Sequence, residues 1–542
     1  MKLFASIDQG TSSTRTIIFD KDLKTVDSRQ EAYELNFPNS GWVEIDPEVL
    51  RNSVMNTMEP LVDKYKDKLN SISITNQRES TIIWNKKTGN AIYPIIVWQD
   101  RRTEGYCNEL KRQGHESMIQ NKTGLVIDPY FSATKIKWIL NNVKQAKVLL
   151  KSNNLLFGTV DTFLIWKLTK GKQHLTEASN ASRTMLYNIN NNKWDKEILK
   201  KLNIPQKILP EVKNSADNFG KTDKKITGVE ISISAVLGDQ QAAAFGQTCF
   251  EKGSIKSTYG TGAFVIMNTG PKKINSKNKL LTTICYRLNN KNTYALEGSI
   301  FIAGAGVQWL RDKVKLIKKA PETEKISKSS KVNDGVFVVP AFSGMGAPYW
   351  RPDARGVITG LTRDSDWKSI VRATVESVGY QSFDLFDSMN KDGLKPKIVK
   401  VDGGMVANNW FTQFLADIIN LKVVRPKILE TTALGVALLA GLQIGEYKSL
   451  NQIKNMWKKD RVFSPNIKKT LRNELLAGWK LAIPGPPLRT LCLLFERFHP
   501  RGTRSPARPP ILRSLQLPVL RLRYGRFGFH LRHSIPQHVP PL

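Results

Sequence analysis

Five short segments of this chain gather residue types suited to handling phosphate and hydroxyl groups. The first is FASIDQGTSSTRTIIFD, residues 4–20, where an apolar run ends at Asp8, small and hydroxylated residues follow, and a second β-rich run ends at Asp20. A strand–turn–strand hairpin lined by small residues brings backbone N–H groups and hydroxyls close to phosphate oxygens. Gly10 is expected to take a positive φ and let the backbone approach a ligand. Thr11, Ser12 and Ser13 add donors without bulk, and Arg15 adds charge for an anion. Asp8, at the strand end, can hold a hydrated Mg2+, which keeps its waters and takes few carboxylates. The loop is not a GxxxxGK[ST] phosphate loop, and a plain polar turn would have a similar composition.

Four more segments argue against the plain turn. TYGTGAF, residues 258–264, is a second tight Gly/Thr turn between β-rich runs, suited to another phosphate. VDGGMVANN, residues 401–409, puts Gly403 and Gly404 between a strand and a helix, where a nucleotide can touch the backbone. GDQQAA, residues 238–243, places Asp239 after the apolar run ISAVL and offers a carboxylate base. TNQRES, residues 75–80, sets Arg78 beside Glu79 at the end of SISI, a charged pair for hydroxyl groups.

The elements that must carry these segments alternate in type. LFASIDQ, RTIIFD, SISITNQ and STIIWN are β-rich, whereas PEVLRNSVMNTMEPLVDKY has helical spacing, with Asp46 as N-cap and Pro47 in the first position. SATKIKWILNNVKQAKVLL reads as one amphipathic helix. A second half opens near residue 253 and echoes the first hairpin. It continues with the helix WKSIVRATVESVGYQSFDLFDSMNK, the strand KIVKVDGG and the helix ANNWFTQFLADIINL. Strands mixed with helices predict two α/β domains of similar build.

Composition narrows the class. The 542 residues are 40% hydrophobic and 24% charged, enough for large cores and two to four domains. No window approaches a membrane span, and MKLFASIDQG lacks the pattern of a signal peptide. Cys107, Cys249, Cys285 and Cys492 are too scattered for a disulfide framework or a zinc site, so the cytoplasm is the default. The net charge of +35 would suggest nucleic acid, but the lysines are interleaved with acids and no dense basic stretch carries stacking aromatics. A solvated lysine-rich surface, with no nucleic-acid partner and no stable membrane insertion, is the expectation.

The segments DQGTSSTR, NQRES, VWQDRR, TGLVIDPYFSATKIKWIL, FGTVDTFLIWKLT, NASRTML, GDQQAA, YGTG, ALEGSIFIAGAGVQWLRD, VPAFSGMGAPYW and DGGMVANN occur in this order over residues 3–480. Together they resemble the FGGY carbohydrate kinase family, and its glycerol-phosphorylating members in particular. The resemblance implies an α/β, two-domain actin-like (ribonuclease H-like) ATPase fold with an interdomain cleft. It places a polyol-binding domain with the first phosphate hairpin at 1–249 and a nucleotide-binding domain at 250–483. It implies transfer of a phosphoryl group from Mg2+-ATP to glycerol, giving sn-glycerol 3-phosphate, by a cytoplasmic homodimer or homotetramer. Residue by residue, Thr11, Ser12, Ser13 and Arg15 match the first phosphate contacts. Thr261, Gly304, Gln308, Gly404 and Asn408 match the ADP/ATP contacts. Arg78, Glu79, Tyr130, Asp239 and Gln240 match the polyol contacts, with Trp98 and Phe264 as the apolar wall. Asp239 matches the catalytic base, and Asp8 and Asp239 are the expected Mg2+ ligands.

The chain also departs from that pattern. In family members inhibited by fructose bisphosphate, a Gly-rich loop with an anion-binding Arg precedes the catalytic strand; here the region reads KTDKKITGVEISIS, residues 221–234, with Lys224 and Lys225 as weak substitutes. The His of members activated by phosphotransfer is missing between His174 and His499. Alternatives within reach are a kinase for another polyol or ketose, a non-catalytic actin-like ATPase, and a basic nucleic-acid binder. NQRES, DPYFS and Trp98 favour a three-carbon pocket over the first alternative.

Residues 484–542 differ in kind, with eleven Pro, ten Arg and one Glu but no Lys, Asp or Asn. They carry +9 of the +35, and so abrupt a shift reads as out-of-frame or foreign sequence, or as a disordered basic tail. Truncation after Ile483 is expected to leave kcat/KM and the melting temperature unchanged. Activity halved, or a melting temperature lowered by several degrees, would mean that the tail packs on the body.

Overall fold

The computed structural model describes residues 2–330, 334–351 and 353–483. The tail at 484–542, and every expectation placed on it, lies outside the described residues. The opening hairpin pairs β1 (Leu3–Gln9) with β2 (Ser13–Asp20), and β2 continues antiparallel to β3 (Thr25–Ala32). The chain then crosses through α1 (Pro47–Tyr65), and β4 (Leu69–Asn76) pairs parallel with the other edge of β1. Asp46 caps α1 by accepting from Glu48 N at 2.8 Å, as its sequence predicts. After a long insertion that includes the short helix α2 (Ala178–Ser182), β5 (Ile233–Gly238) adds parallel to β4 and leads into α3 (Asp239–Gly246).

The second half repeats this plan. β6 (Ile255–Tyr259) and β7 (Ala263–Gly270) form the second hairpin, and β8 (Leu281–Leu288) and β9 (Lys291–Ile300) extend it from β7 through β9. Past α4 (Gly304–Asp312) and α5 (Trp367–Lys391), β10 (Ile398–Asp402) pairs parallel with β6. After α6 (Asn409–Ile419), β11 (Lys422–Pro426) pairs parallel with β10. The helix α7 (Thr431–Gln443) follows, and β12 (Lys459–Phe463) closes the edge antiparallel to β11. The strand orders β3-β2-β1-β4-β5 and β9-β7-β6-β10-β11 are thus the same order, with β8 and β12 added outside the second.

The alternation of a strand sends successive side chains to opposite faces. In β1, Leu3, Ala5 and Ile7 enter the core under α1 with Leu50, Val54 and Met58, whereas Phe4 enters a second core with Leu434 and Leu438 of α7. Helices on both faces explain why β1 is buried almost throughout. The helices that end the two half-folds, α3 and α7, meet at glycines. A Cβ on Gly435 would stand 1.8 Å from Ala242 O, and one on Gly246 would stand 2.0 Å from Thr431 O. Backbone-to-backbone contact therefore holds α3, and with it Asp239 at its first turn, between the two sheets. The stretch expected as one helix over 132–150 is two, Ser132–Asn142 and Lys144–Lys151, broken at the extended Val143. Two Asn followed by a β-branched residue are weak helix formers, and the break falls there.

Candidate active site

The first hairpin turn is tighter than expected. Gly10 N donates to Ser13 O at 2.9 Å, and Ser13 and Thr14 already belong to β2. Gly10 does not adopt the positive φ expected of it; a Cβ there would come within 3.2 Å of Ser13 O, so close approach rather than handedness favours glycine. Thr14 is buried against Ser53 Oγ at 2.7 Å, while Thr11, Ser12 and Ser13 line the turn with Ser12 the most open. Arg15 is already engaged, ion-paired with Glu430 and bonded to Gln30. Gln77 ties this turn to the end of β4 by donating to Gly10 O at 3.0 Å.

Beyond Gln77 lies a cluster of buried charges. Arg78 and Glu79 are both about 2% exposed, yet they are not each other's chief partner, with Nε and Oε1 3.9 Å apart. Arg78 binds Glu297 of β9 through two hydrogen bonds of 2.6 and 2.8 Å, donates to Gln241 Oε1 at 3.1 Å, and lies 3.1 Å from Asp239 Oδ1. Glu79 accepts from Arg183 Nε at 2.5 Å, and Arg183 Nη2 stands 3.2 Å from Glu297 Oε1. Two guanidinium groups and two glutamates therefore alternate in a dry ring. Burial opposes the charge on Glu297, but Arg183 and Arg78 hold its pKa below the ordinary value. Burial pushes that of Glu79 up against the pull of the same two arginines. Glu79 also sits in the left-handed region at φ 63°, a strained backbone that the surrounding bonds enforce. Gly238 clears the way for the arginine, since a Cβ there would stand 2.7 Å from Arg78 Cδ.

Asp239 opens from this ring toward solvent, its side chain 28% exposed. Its Oδ1 accepts from Gln240 N at 2.6 Å and its Oδ2 from Gln240 Nε2 at 3.3 Å. An aromatic wall adjoins the charged ring, with the Arg183 guanidinium 5.4 Å from the centre of the Tyr130 ring. Trp98 packs edge-on against Tyr130 at 5.5 Å and against Phe264 of β7 at 6.0 Å, so both halves of the chain build the wall. The indole N–H of Trp98 donates to Thr11 Oγ1 at 2.9 Å, which ties the wall to the first hairpin.

Arg183, Glu297 and Gln241 were not singled out in the sequence. A lone acid in the apolar strand run TYALEGSI was the signal for Glu297, and NASRTML already contained Arg183. Helix α2 supplies further unforeseen supports. Ser179 Oγ accepts from Gly238 N at 3.0 Å, and Asn180 and Asn76 exchange amide bonds of 3.0 and 3.2 Å. This five-residue helix thus braces the ends of β4 and β5 together.

The residues matched to nucleotide contacts converge elsewhere. Thr261, Gly304, Gln308, Gly404 and Asn408 all line one cavity of about 430 Å3, together with Gly260 and Val307. Gly304 N and Ala305 N donate to Gly260 O and Thr261 O at 2.9 Å, which docks the second hairpin on the start of α4. A Cβ on Gly304 would meet Gly260 O at 2.6 Å. Gly403, at φ 91°, turns the chain so that Gly404 lies open to the cavity. Asn408 caps α6 by accepting from Phe411 N at 2.9 Å and donates to Thr323 Oγ1 at 3.2 Å. The hairpin at 260–264 serves both sites: Gly260 and Thr261 face the cavity, and Phe264 completes the aromatic wall.

The donor set suits Mg2+ rather than a closed metal cage. Burial, then Asp239 and Glu430, push the pKa of Asp8 up to about 7 against the pull of Arg15, so Asp8 and Asp239 share one electrostatic field. A divalent cation between them would relieve that repulsion. Among the described residues no group of three or more His, Cys, Asp or Glu side chains is placed to hold a metal.

A duplicated α/β fold with a nucleotide-sized cavity, a buried cluster of charges and an aromatic wall built by both halves defines a two-domain actin-like sugar-kinase architecture. The chain belongs to the FGGY family of carbohydrate kinases: models of the N-terminal and C-terminal domains match residues 3–246 and 255–444. It is 52% identical to a glycerol kinase of Alteromonas mediterranea over 482 residues, 88% of this chain and 98% of that one. A crystal structure of Plasmodium falciparum glycerol kinase with ADP is 38% identical, with a TM-score of 0.84 over 90% of this chain and 99% of that one. Xylulose kinase from Lactobacillus acidophilus, at 22% identity and a TM-score of 0.81 over 92% and 100%, shares the fold.

Proposed function

We propose that this chain catalyses ATP-dependent phosphorylation of glycerol to sn-glycerol 3-phosphate. Mg2+ is its cofactor. The similarity to glycerol kinases over nearly their whole length supports the activity. The observation that carries the site reading is the hairpin at 260–264, whose one side lines the nucleotide cavity while Phe264 closes the polyol wall. In this reading 1–249 is the polyol-binding domain and 250–483 the nucleotide-binding domain.

Glycerol has three hydroxyls and little apolar surface, so its pocket must read hydroxyls with fixed polar partners while an aromatic wall excludes water. Arg78 donates and Glu79 accepts, and the ring with Arg183 and Glu297 fixes both. Trp98, Tyr130 and Phe264 cover the carbons. Asp239, held by Gln240 and Arg78 but open on its outer side, takes the proton of the reacting hydroxyl as its oxygen attacks the γ-phosphorus and the bond to ADP breaks. Thr11, Ser12, Ser13 and Arg15 face the phosphates from the first hairpin. Thr261, Gly304, Gln308, Gly404 and Asn408 hold the remainder of the nucleotide. Asp8 and Asp239 would hold Mg2+, whose chemistry there would be to neutralise charge on the phosphoryl oxygens.

ADP release with glycerol, dihydroxyacetone, xylulose and no acceptor tests the activity. Fast release with glycerol and little without an acceptor is expected, whereas xylulose as the better acceptor would make the chain a ketose kinase. Closure of the two halves on their ligands belongs to the same reading, because water must not replace glycerol as acceptor. Small-angle scattering should give a smaller radius of gyration with glycerol and a non-hydrolysable ATP analogue, and an unchanged profile would refute closure. A homodimer or homotetramer in the cytoplasm completes the proposal, and sedimentation velocity checks the assembly. No described helix is long and apolar enough to cross a membrane.

A further inference from the structure

We infer that Lys256 is a positioning residue for phosphoryl transfer, acting across the two halves of the fold by fixing which way the Gln240 carboxamide faces. Lys256 lies on β6, in the second hairpin, and its side chain is fully buried. Its ammonium donates to Gln240 Oε1 at 2.5 Å, and among the described residues that oxygen is the one acceptor it reaches. Gln240 belongs to the first turn of α3, contributed by the first half of the chain.

The chemistry of the pair leaves one orientation. An ammonium has three donors and no acceptor, so it takes the carboxamide oxygen and never the NH2. The NH2 must then point the other way, where one of its protons meets Asp239 Oδ2 at 3.3 Å. The second N–H is left for a substrate hydroxyl. Without Lys256 the carboxamide could rotate by half a turn. Its oxygen would then face the Asp239 carboxylate, acceptor against acceptor, and the donor to the polyol would be lost. The hydrogen bond is charge-assisted and dry, which is the setting in which such a bond is strongest. Burial lowers the pKa of Lys256 while Asp402 and Asp239 pull it back up, and among the described residues neither carboxylate is in direct contact with the ammonium. Lys256 stands on the strand that leads into the Gly260–Gly262 turn, so seating the nucleotide hairpin and orienting the polyol carboxamide are mechanically one event. The inference rests on the reading that Gln240 and Asp239 face the polyol.

The test compares four full-length proteins: the natural chain, Lys256→Met, Gln240→Ala and the double variant. Lys256→Met keeps length and apolar bulk in a buried position. Each single variant is expected to lower kcat/KM for glycerol by about 10- to 100-fold, the scale of a mispositioned contact group, with KM for ATP changed less than about twofold. The double variant should be no worse than the weaker single, because Lys256 acts only through Gln240. Losses that multiply in the double variant, or equal weakening toward ATP, would overturn the inference and make Lys256 a direct phosphate contact or a structural residue. Gln240→Glu covers the case in which Lys256→Met does not fold. It keeps an acceptor for Lys256 but lacks the NH2, so kcat/KM for glycerol should still fall at least 10-fold; retention within twofold would overturn the inference. A natural chain without glycerol-dependent ADP release would instead defeat the functional reading itself.

Discussion

Asp239→Asn is expected to lower kcat for glycerol by about 10²–10⁴, the usual worth of a general base. The substitution keeps the shape of the side chain and the acceptor that receives Gln240 N at 2.6 Å, so α3 should start as before. It places an NH2 where Oδ2 now accepts from Gln240 Nε2, donor against donor, which predicts a modest rise in KM for glycerol and little change in KM for ATP. Steady-state kinetics with each substrate varied in turn checks this. A variant that retained more than about a tenth of kcat would remove Asp239 from the role of base.

Arg78→Met should act on catalysis and on stability together, and the two effects can be separated. Arg78 holds Glu297 through both oxygens and satisfies Gln241, all of it dry. Removing one partner of such an arrangement leaves an uncompensated buried charge and costs about 3–5 kcal/mol. Loss of a preorganised donor at the reacting substrate costs about 10²–10³ in rate. Pairing Arg78→Met with Glu297→Gln removes the orphaned charge, so the melting temperature should recover while kcat/KM for glycerol stays low. Recovery of both would show that Arg78 is structural and does not touch the polyol. Weakening toward ATP as large as toward glycerol would equally contradict its place in the polyol pocket.

The two predictions depend on different kinds of information. Asp239 could be picked out in the chain, because an acid directly after an apolar strand run and before a helical segment is exposed at the C-terminal end of a sheet. The network that makes Arg78 costly to remove could not, since its partner Glu297 is 219 residues away. For the same reason Arg78 and Glu79 look like a pair in the sequence and are instead each paired with a residue from elsewhere.

Local physics in the sequence determined the two hairpins, the capped helix at 47–65, the helix at 367–391 and the α/β class, because turn residues, N-caps and apolar periods act over a few neighbours. It also carried the family, through ordered motifs spread over most of the chain. It overstated what local signals can do at Gly10, where close approach replaced the expected positive φ, and at Val143, where one helix became two. Only the tertiary structure decided that α3 and α7 meet at bare backbone, that Arg183 and Glu297 complete a buried ring with Arg78 and Glu79, and that Lys256 turns the Gln240 carboxamide. Those arrangements depend on contacts between segments far apart in the chain, and the burial that gives a charge its pKa or an amide its orientation exists only once the two sheets have packed.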